Sequence, residues 1–247
     1  QFLLRLAFGL AACMATVSPR LVSSGYFRNH LYVTLGLAAM AALATGAIGS
    51  GGMAAAIAAA GASYVGAVCW LYEKPAAGKI ALVAVAFAAL ASLWQLSDAT
   101  AGSAALPAVA VLRRINLATS GLLVGAVTAA MLLGHWYLNA PGMKLEPLRR
   151  LIALIVLAIV LQVAVCSVGA GLSWKSGATF DGGTLALLAI RWGFGLIGVA
   201  ALAWMARKTL EIPNTQSATG ILYVAVIGSF TGEVMSILLA AEHAYPM

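Results

Sequence analysis

The sequence predicts an all-α polytopic transmembrane bundle of about eight helices, organised as a single integral membrane domain over residues 1–247. Three observations predict it. The chain is 63% apolar and only 9% charged, against roughly 45–50% and about 25% in a soluble domain. The apolar residues form continuous runs, often about twenty long, which is the length a helix needs to cross a hydrocarbon core. Barrel strands would instead alternate over about ten residues. Most breaks between runs carry the Pro, Gly and Asn that end helices.

The first run, 2–17, is short and has the length of a signal-peptide core. It is read as a retained first helix, and a chain opening on Gln1 so close to it implies a short missing or processed N-terminus. Ser18-Pro19-Arg20 closes it. The second run, 29–48, meets the third, 52–72, across a turn rich in glycine (Gly46, Gly49, Gly51, Gly52). Glu73-Lys74-Pro75 leads to the fourth, 80–97. The connection around 98–114 is the longest, at fewer than about twenty residues, too short for a soluble domain. The fifth run, 115–138, ends at Asn139-Ala140-Pro141-Gly142, and the sixth covers 149–172. The seventh, 183–206, and the eighth, 216–241, are separated by Ile212-Pro213-Asn214. Abundant Ala and 26 Gly suit helix backbones that approach closely in lipid. No internal repeat of the kind built into many secondary transporters is visible.

Orientation follows from the basic residues. Arg20, Arg28, Lys74, Lys79, Lys144, Arg149, Arg150, Arg207 and Lys208 fall on one side, against Arg113, Arg114, Lys175 and Arg5 on the other. The richer side is expected in the cytoplasm, with both termini outside. The inner membrane of a bacterium is the expected location. Trp70, Trp94, Trp136, Trp174 and Trp204 lie near span ends, as interfacial belt residues do. A net charge of +7 is spread singly and in pairs at these ends, so it marks topology rather than a nucleic-acid surface. Cys13, Cys69 and Cys166 lie inside apolar runs and read as small core residues.

Two ionisable residues stand where a lone charge is costly: Arg191 in the seventh run and Glu233 in the eighth. The antiparallel course of the two helices gives them the same depth from the outer surface, roughly 12 Å. Arg191, Gly195 and Gly198 share one face, and Ser229, Glu233 and Ser236 another. Three readings stand: an ion pair locking two helices, a carboxylate used in proton or quinol chemistry, and a protonated, merely buried Glu233. The expectation is that both side chains face the interior and pair or share one polar pocket.

His135-Trp136-Tyr137, with Arg149 and Arg150 nearby, offers aromatic faces and a titratable donor that suit a quinone or a lipid headgroup. His30 and His135 at similar depth are the only histidine pair placed to ligate a b-type haem, but haem ligands usually lie deeper, so haem is not expected. Phosphate-binding, zinc-protease and nucleophile-elbow motifs are absent from the sequence. Asp98, Asp181 and Glu242 read as caps or flanks of helix ends.

The Arg within an apolar helix (Ile190-Arg191-Trp192), and Gly232-Glu233 in the last helix followed by His243 and Tyr245, resemble the membrane-anchor subunits of the dimethyl sulfoxide reductase and NrfD-like group. The resemblance covers roughly the last 65 residues. It departs from the family where an Arg often follows the Gly-Glu pair, since Ser236 and Ile237 occupy that stretch. It implies a haem-free anchor that passes quinol electrons to partner subunits.

The expected function is that of a non-catalytic membrane subunit of a multi-subunit energy-converting complex, respiratory or photosynthetic, contributing to a quinone site. Such a subunit has no turnover of its own, and its partners are other membrane subunits and lipids, not nucleic acid. Glu233, Arg191, His135, Trp136 and Tyr137 are the proton and quinone candidates; no metal or covalent cofactor is expected. The alternative is a small-solute or ion transporter, for which the midplane supplies only scattered Thr and Ser with Asn116 and Gln162. A lipid-modifying enzyme lacks its acidic metal motif.

Overall fold

Each apolar run closes on itself as a helix, because in hydrocarbon a backbone N–H finds no acceptor but the carbonyl one turn back. A computed structural model describes residues 1–101, 107–140, 142–212 and 214–247. Among the described residues there are eight helices and no strand. They are α1 (Phe2–Thr16), α2 (Ser24–Ala47), α3 (Met53–Leu71), α4 (Pro75–Ala101), α5 (Pro107–Asn139), α6 (Glu146–Lys175), α7 (Gly182–Thr209) and α8 (Thr215–Glu242). Seven of them are long and apolar enough to cross a membrane, and α1, with 15 residues, is the short one. At 1.5 Å per residue α1 is only about 22 Å long, against a hydrocarbon core of about 30 Å. The chain is an all-α polytopic bundle with the make-up of an integral membrane protein.

Several helices run past the apolar stretches that mark them. α2 begins at Ser24 rather than 29, α4 at Pro75 rather than 80, α5 at Pro107 rather than 115, and α6 at Glu146 rather than 149. Their extra turns carry Arg28, Lys79, Arg113 and Arg114, which hydropathy alone assigns to loops. Proline does not oppose this, since its missing N–H costs nothing in a first turn. The 98–114 connection is therefore helical at both ends, and its residues 102–106 lie outside the described residues, as do Pro141 and Pro213 of the expected breaks.

Two helices form the centre. α1 packs on α2, α4 and α5, while α5 packs on α1, α6 and α8, and α8 in turn packs on α7. The α1–α5 seam is a backbone contact. A Cβ on Gly9 would lie 1.9 Å from Gly121 O, and one on Gly125 would lie 2.0 Å from Gly9 C. Only glycine permits that approach. Both termini reach the same end of the bundle, where Gln1, Tyr245 and Pro246 line one cavity. At the opposite end Lys79 Nζ donates to the carbonyls of Ala15 and Val17, the latter at 2.6 Å. That cation satisfies carbonyls left open where α1 stops.

Trp70 departs from its expected place in the belt. It is 2% exposed, stacked on Phe27 with ring centroids 4.1 Å apart, and belongs to the core. Trp94, Trp174 and Trp204 are exposed at 37%, 78% and 61%, as an interfacial position requires.

Candidate functional site: a buried polar cluster

α7 is α-helical at both ends and π-helical over Arg191–Gly198. π-turns are rare and frequent at functional sites, and this one begins on the buried arginine. Gly195 within it meets Gly232 of α8 so closely that a Cβ on Gly195 would fall 2.5 Å from Gly232 Cα. The crossing brings the two charged positions to one level. Arg191 lies nine residues from the start of α7 at Gly182, and Glu233 nine from the end of α8 at Glu242, each about 13 Å along its axis.

Both side chains are buried, 3% and 4% exposed, and both line one small cavity with Ser120, Gln162 and Ser229. They do not form a salt bridge with each other. The Glu233 carboxylate is taken by Arg5, whose Nη1 donates to Oε1. Hydropathy places Arg5 among the end-of-span charges; the structure leaves it only 1% exposed. Its Nη1 also donates to Ser120 Oγ at 2.9 Å, and its Nη2 to Gln1 Oε1 at 3.1 Å. α1 can deliver Arg5 to α8 because the Gly9 seam holds it tight against α5.

Arg191 has weaker partners. Its Nη1 donates to Gly232 O at 3.3 Å, and its Nη2 to Cys166 Sγ at 3.0 Å. Cys166 also accepts from Gln162 Nε2 at 3.3 Å. Gln162 donates to Asn116 Oδ1 at 2.8 Å and accepts from Thr119 Oγ1 at 2.6 Å. Residues that read as scattered polar positions thus form two hydrogen-bonded groups, Arg5–Ser120–Glu233 and Arg191–Cys166–Gln162–Asn116–Thr119, which border one cavity and together draw on α1, α5, α6, α7 and α8. Cys166 is part of the second, not only a small core residue.

Above the cluster, at the end carrying the termini, lies a cavity of about 400 Å³. Arg5 and Asn116 form its floor and connect it to the cluster. Its lining includes polar Arg113 and His243 and apolar Leu117, Ile237 and Ala240. Arg113 donates from Nε to Ala244 O at 3.0 Å, which ties the C-terminal tail over the mouth.

The aromatic candidates lie elsewhere. His135, Trp136 and Tyr137 sit at the opposite end of α5 and share no cavity with Glu233. His135 is exposed and its Nδ1 is 3.3 Å from Tyr223 Oη. Trp136 donates to Ser23 Oγ at 2.9 Å, and buried Tyr137 donates to Lys144 O. Arg149 Nη2 is committed to Leu210 O at 2.8 Å. His30 is buried with Nδ1 2.6 Å from Tyr26 O, and its ring lies 6.4 Å from that of Trp136. These side chains pack together as an aromatic end of the bundle. Among the described residues no group of three or more His, Cys, Asp or Glu could hold a metal ion.

No family model, curated protein or solved structure matches the chain. Function must be argued from the cluster itself.

Proposed function

We propose that this chain is a membrane subunit of an energy-converting complex, and that it contributes one wall of a quinone site at the end carrying its termini. The observation that carries the reading is a carboxylate, Glu233, joined through Arg5 to a cavity lined by both polar and apolar side chains. A quinone headgroup presents two carbonyl oxygens on a flat ring with an apolar tail. Arg113, Asn116 and His243 supply donors for the oxygens, and Leu117 and Ile237 supply apolar surface for the ring. Quinol oxidation releases protons, and a carboxylate one side chain away is a suitable acceptor. The resemblance of the last two helices to reductase anchor subunits supports the same reading, as does the shortness of the connections among the described residues. Redox centres belong to partners, and the complex sits in an inner membrane with both termini outside.

Purification of the full chain from its membrane in mild detergent tests this. Partner chains with redox centres, and about one quinone lost on Glu233→Gln or Arg113→Ala, are the expected result. A chain that purifies alone and, in liposomes, moves a solute or ion at a rate abolished by Glu233→Gln would replace this reading with that of a transporter.

A further inference from the structure

We infer that the small cavity between α5, α7 and α8 holds one monovalent anion of halide size, bound as the counter-ion of Arg191. The argument does not depend on the quinone reading. It begins with a charge count. Arg5, Arg191 and Glu233 are all at least 96% buried, their exposures being 1%, 3% and 4%. Two cations therefore face one carboxylate in a medium where an unbalanced charge is strongly disfavoured. Glu233 is committed to Arg5. Arg191 is left with a backbone carbonyl and a sulfur, which are weak dipoles and not a counter-charge. Its Nε–H has no partner at all.

The rest of the chain does not supply the missing charge. Of the seven acidic residues in the sequence, Asp98 pairs with Arg114 and Glu211 with Lys208, both at the surface. Glu73, Glu146, Asp181 and Glu242 lie in turns or at helix ends.

Space exists for an ion where it is needed. Arg191, Ser120, Ser229 and Gly232 line a cavity of about 10 Å³, the space of about one water. That is room for a single small particle. A water there leaves the positive charge unbalanced, whereas a halide, slightly larger than water, removes the imbalance and needs only a small outward shift of the long Arg191 side chain. Glu233 also borders the cavity, but its charge is directed to Arg5 on the α1 side. The larger cavity is its neighbour, since Asn116 of the one lining and Ser120 of the other are a single turn apart on α5.

The test is thermal unfolding of the full chain in mild detergent, with chloride replaced by gluconate at constant ionic strength. Chloride and bromide should raise the midpoint saturably, by on the order of 5 °C at saturation, and sulfate should behave as gluconate does. Arg191→Met should abolish the dependence, while Arg113→Met, which removes a cation outside the small cavity, should keep it. If Arg191→Met does not fold, bromide-soaked crystals of the unaltered protein decide, with an anomalous peak expected against the Arg191 guanidinium. A midpoint indifferent to chloride, equal gains in Arg191→Met and the parent, or a cavity holding only water would each overturn the inference.

Discussion

Removing Glu233 and removing Arg5 break the same buried ion pair, yet the two changes should not cost the same. Truncating one partner of a buried pair typically costs about 3–5 kcal/mol, because the other charge stays behind unpaired. Glu233→Met leaves two guanidiniums, on Arg5 and Arg191, at 1% and 3% exposure with no carboxylate between them. Its cost belongs at the upper end, about 4–5 kcal/mol. Arg5→Met leaves the carboxylate, but Arg191 lines the same cavity as Glu233 and holds only weak partners. A rotamer change lets it take over, which reduces the loss to about 2 kcal/mol. The double variant removes both charges and returns the cluster to a single cation, so its cost falls well short of the sum, with a coupling of about 3 kcal/mol.

Reversible unfolding of the four proteins in mixed detergent measures all three quantities. Methionine keeps most of the side-chain volume, so packing is a small part of each difference. Additive effects of the two single changes would refute the pair as an energetic unit. An Arg5→Met variant more damaged than Glu233→Met would refute the claim that Arg191 is available to the carboxylate.

Four other outcomes are expected. Gly9→Ala or Gly125→Ala puts a methyl about 2 Å from backbone atoms across the α1–α5 seam and should lower stability by about 3 kcal/mol, whereas Gly36→Ala and Gly61→Ala, which meet open space, should be neutral or gain about 0.5–1 kcal/mol. Asp181 caps α7, and hydrogen bonds from Thr184 hold its carboxyl below the usual carboxylate range; a depressed value stabilises the fold above about pH 4 and loses that contribution as pH falls through it, so Asp181→Ala should lower the unfolding midpoint at pH 7 and differ little from the parent at pH 2–3. Reporters fused before Gln1 and after Met247 should read the same compartment, the non-cytoplasmic one, and a cytoplasmic reading after Met247 would overturn the orientation. The purified chain should show no b-type haem absorbance; a band lost on His135→Ala would overturn that expectation.

Hydropathy makes the helices legible because lipid leaves the backbone no alternative, and it makes Arg191 and Glu233 legible because a charge in mid-helix needs a reason. Arg5 is different in kind. Four residues into a short apolar run, a basic side chain reads as a span end. Its burial follows from packing: α1 is short, so its first turn lies inside the bundle, and its Gly9 contact with Gly121 and Gly125 sets where along the bundle it lies. A local signal exists for the rest of the cluster, since Asn116, Thr119 and Ser120 repeat at helical spacing, as do Gln162 and Cys166. What sequence lacks is the rotation that turns these faces toward each other.

That dependence also explains why polar groups are tolerated here. The Gly9 seam sets the register of α1 against α5, and the buried polar groups add a second constraint on it. A shift of one turn would move Arg5 about 5.4 Å along the axis, stranding it and Glu233 together. The cluster thus helps fix how α1 sits against α5 and α8, and the same fixed geometry keeps a carboxylate beneath the cavity at the terminal end.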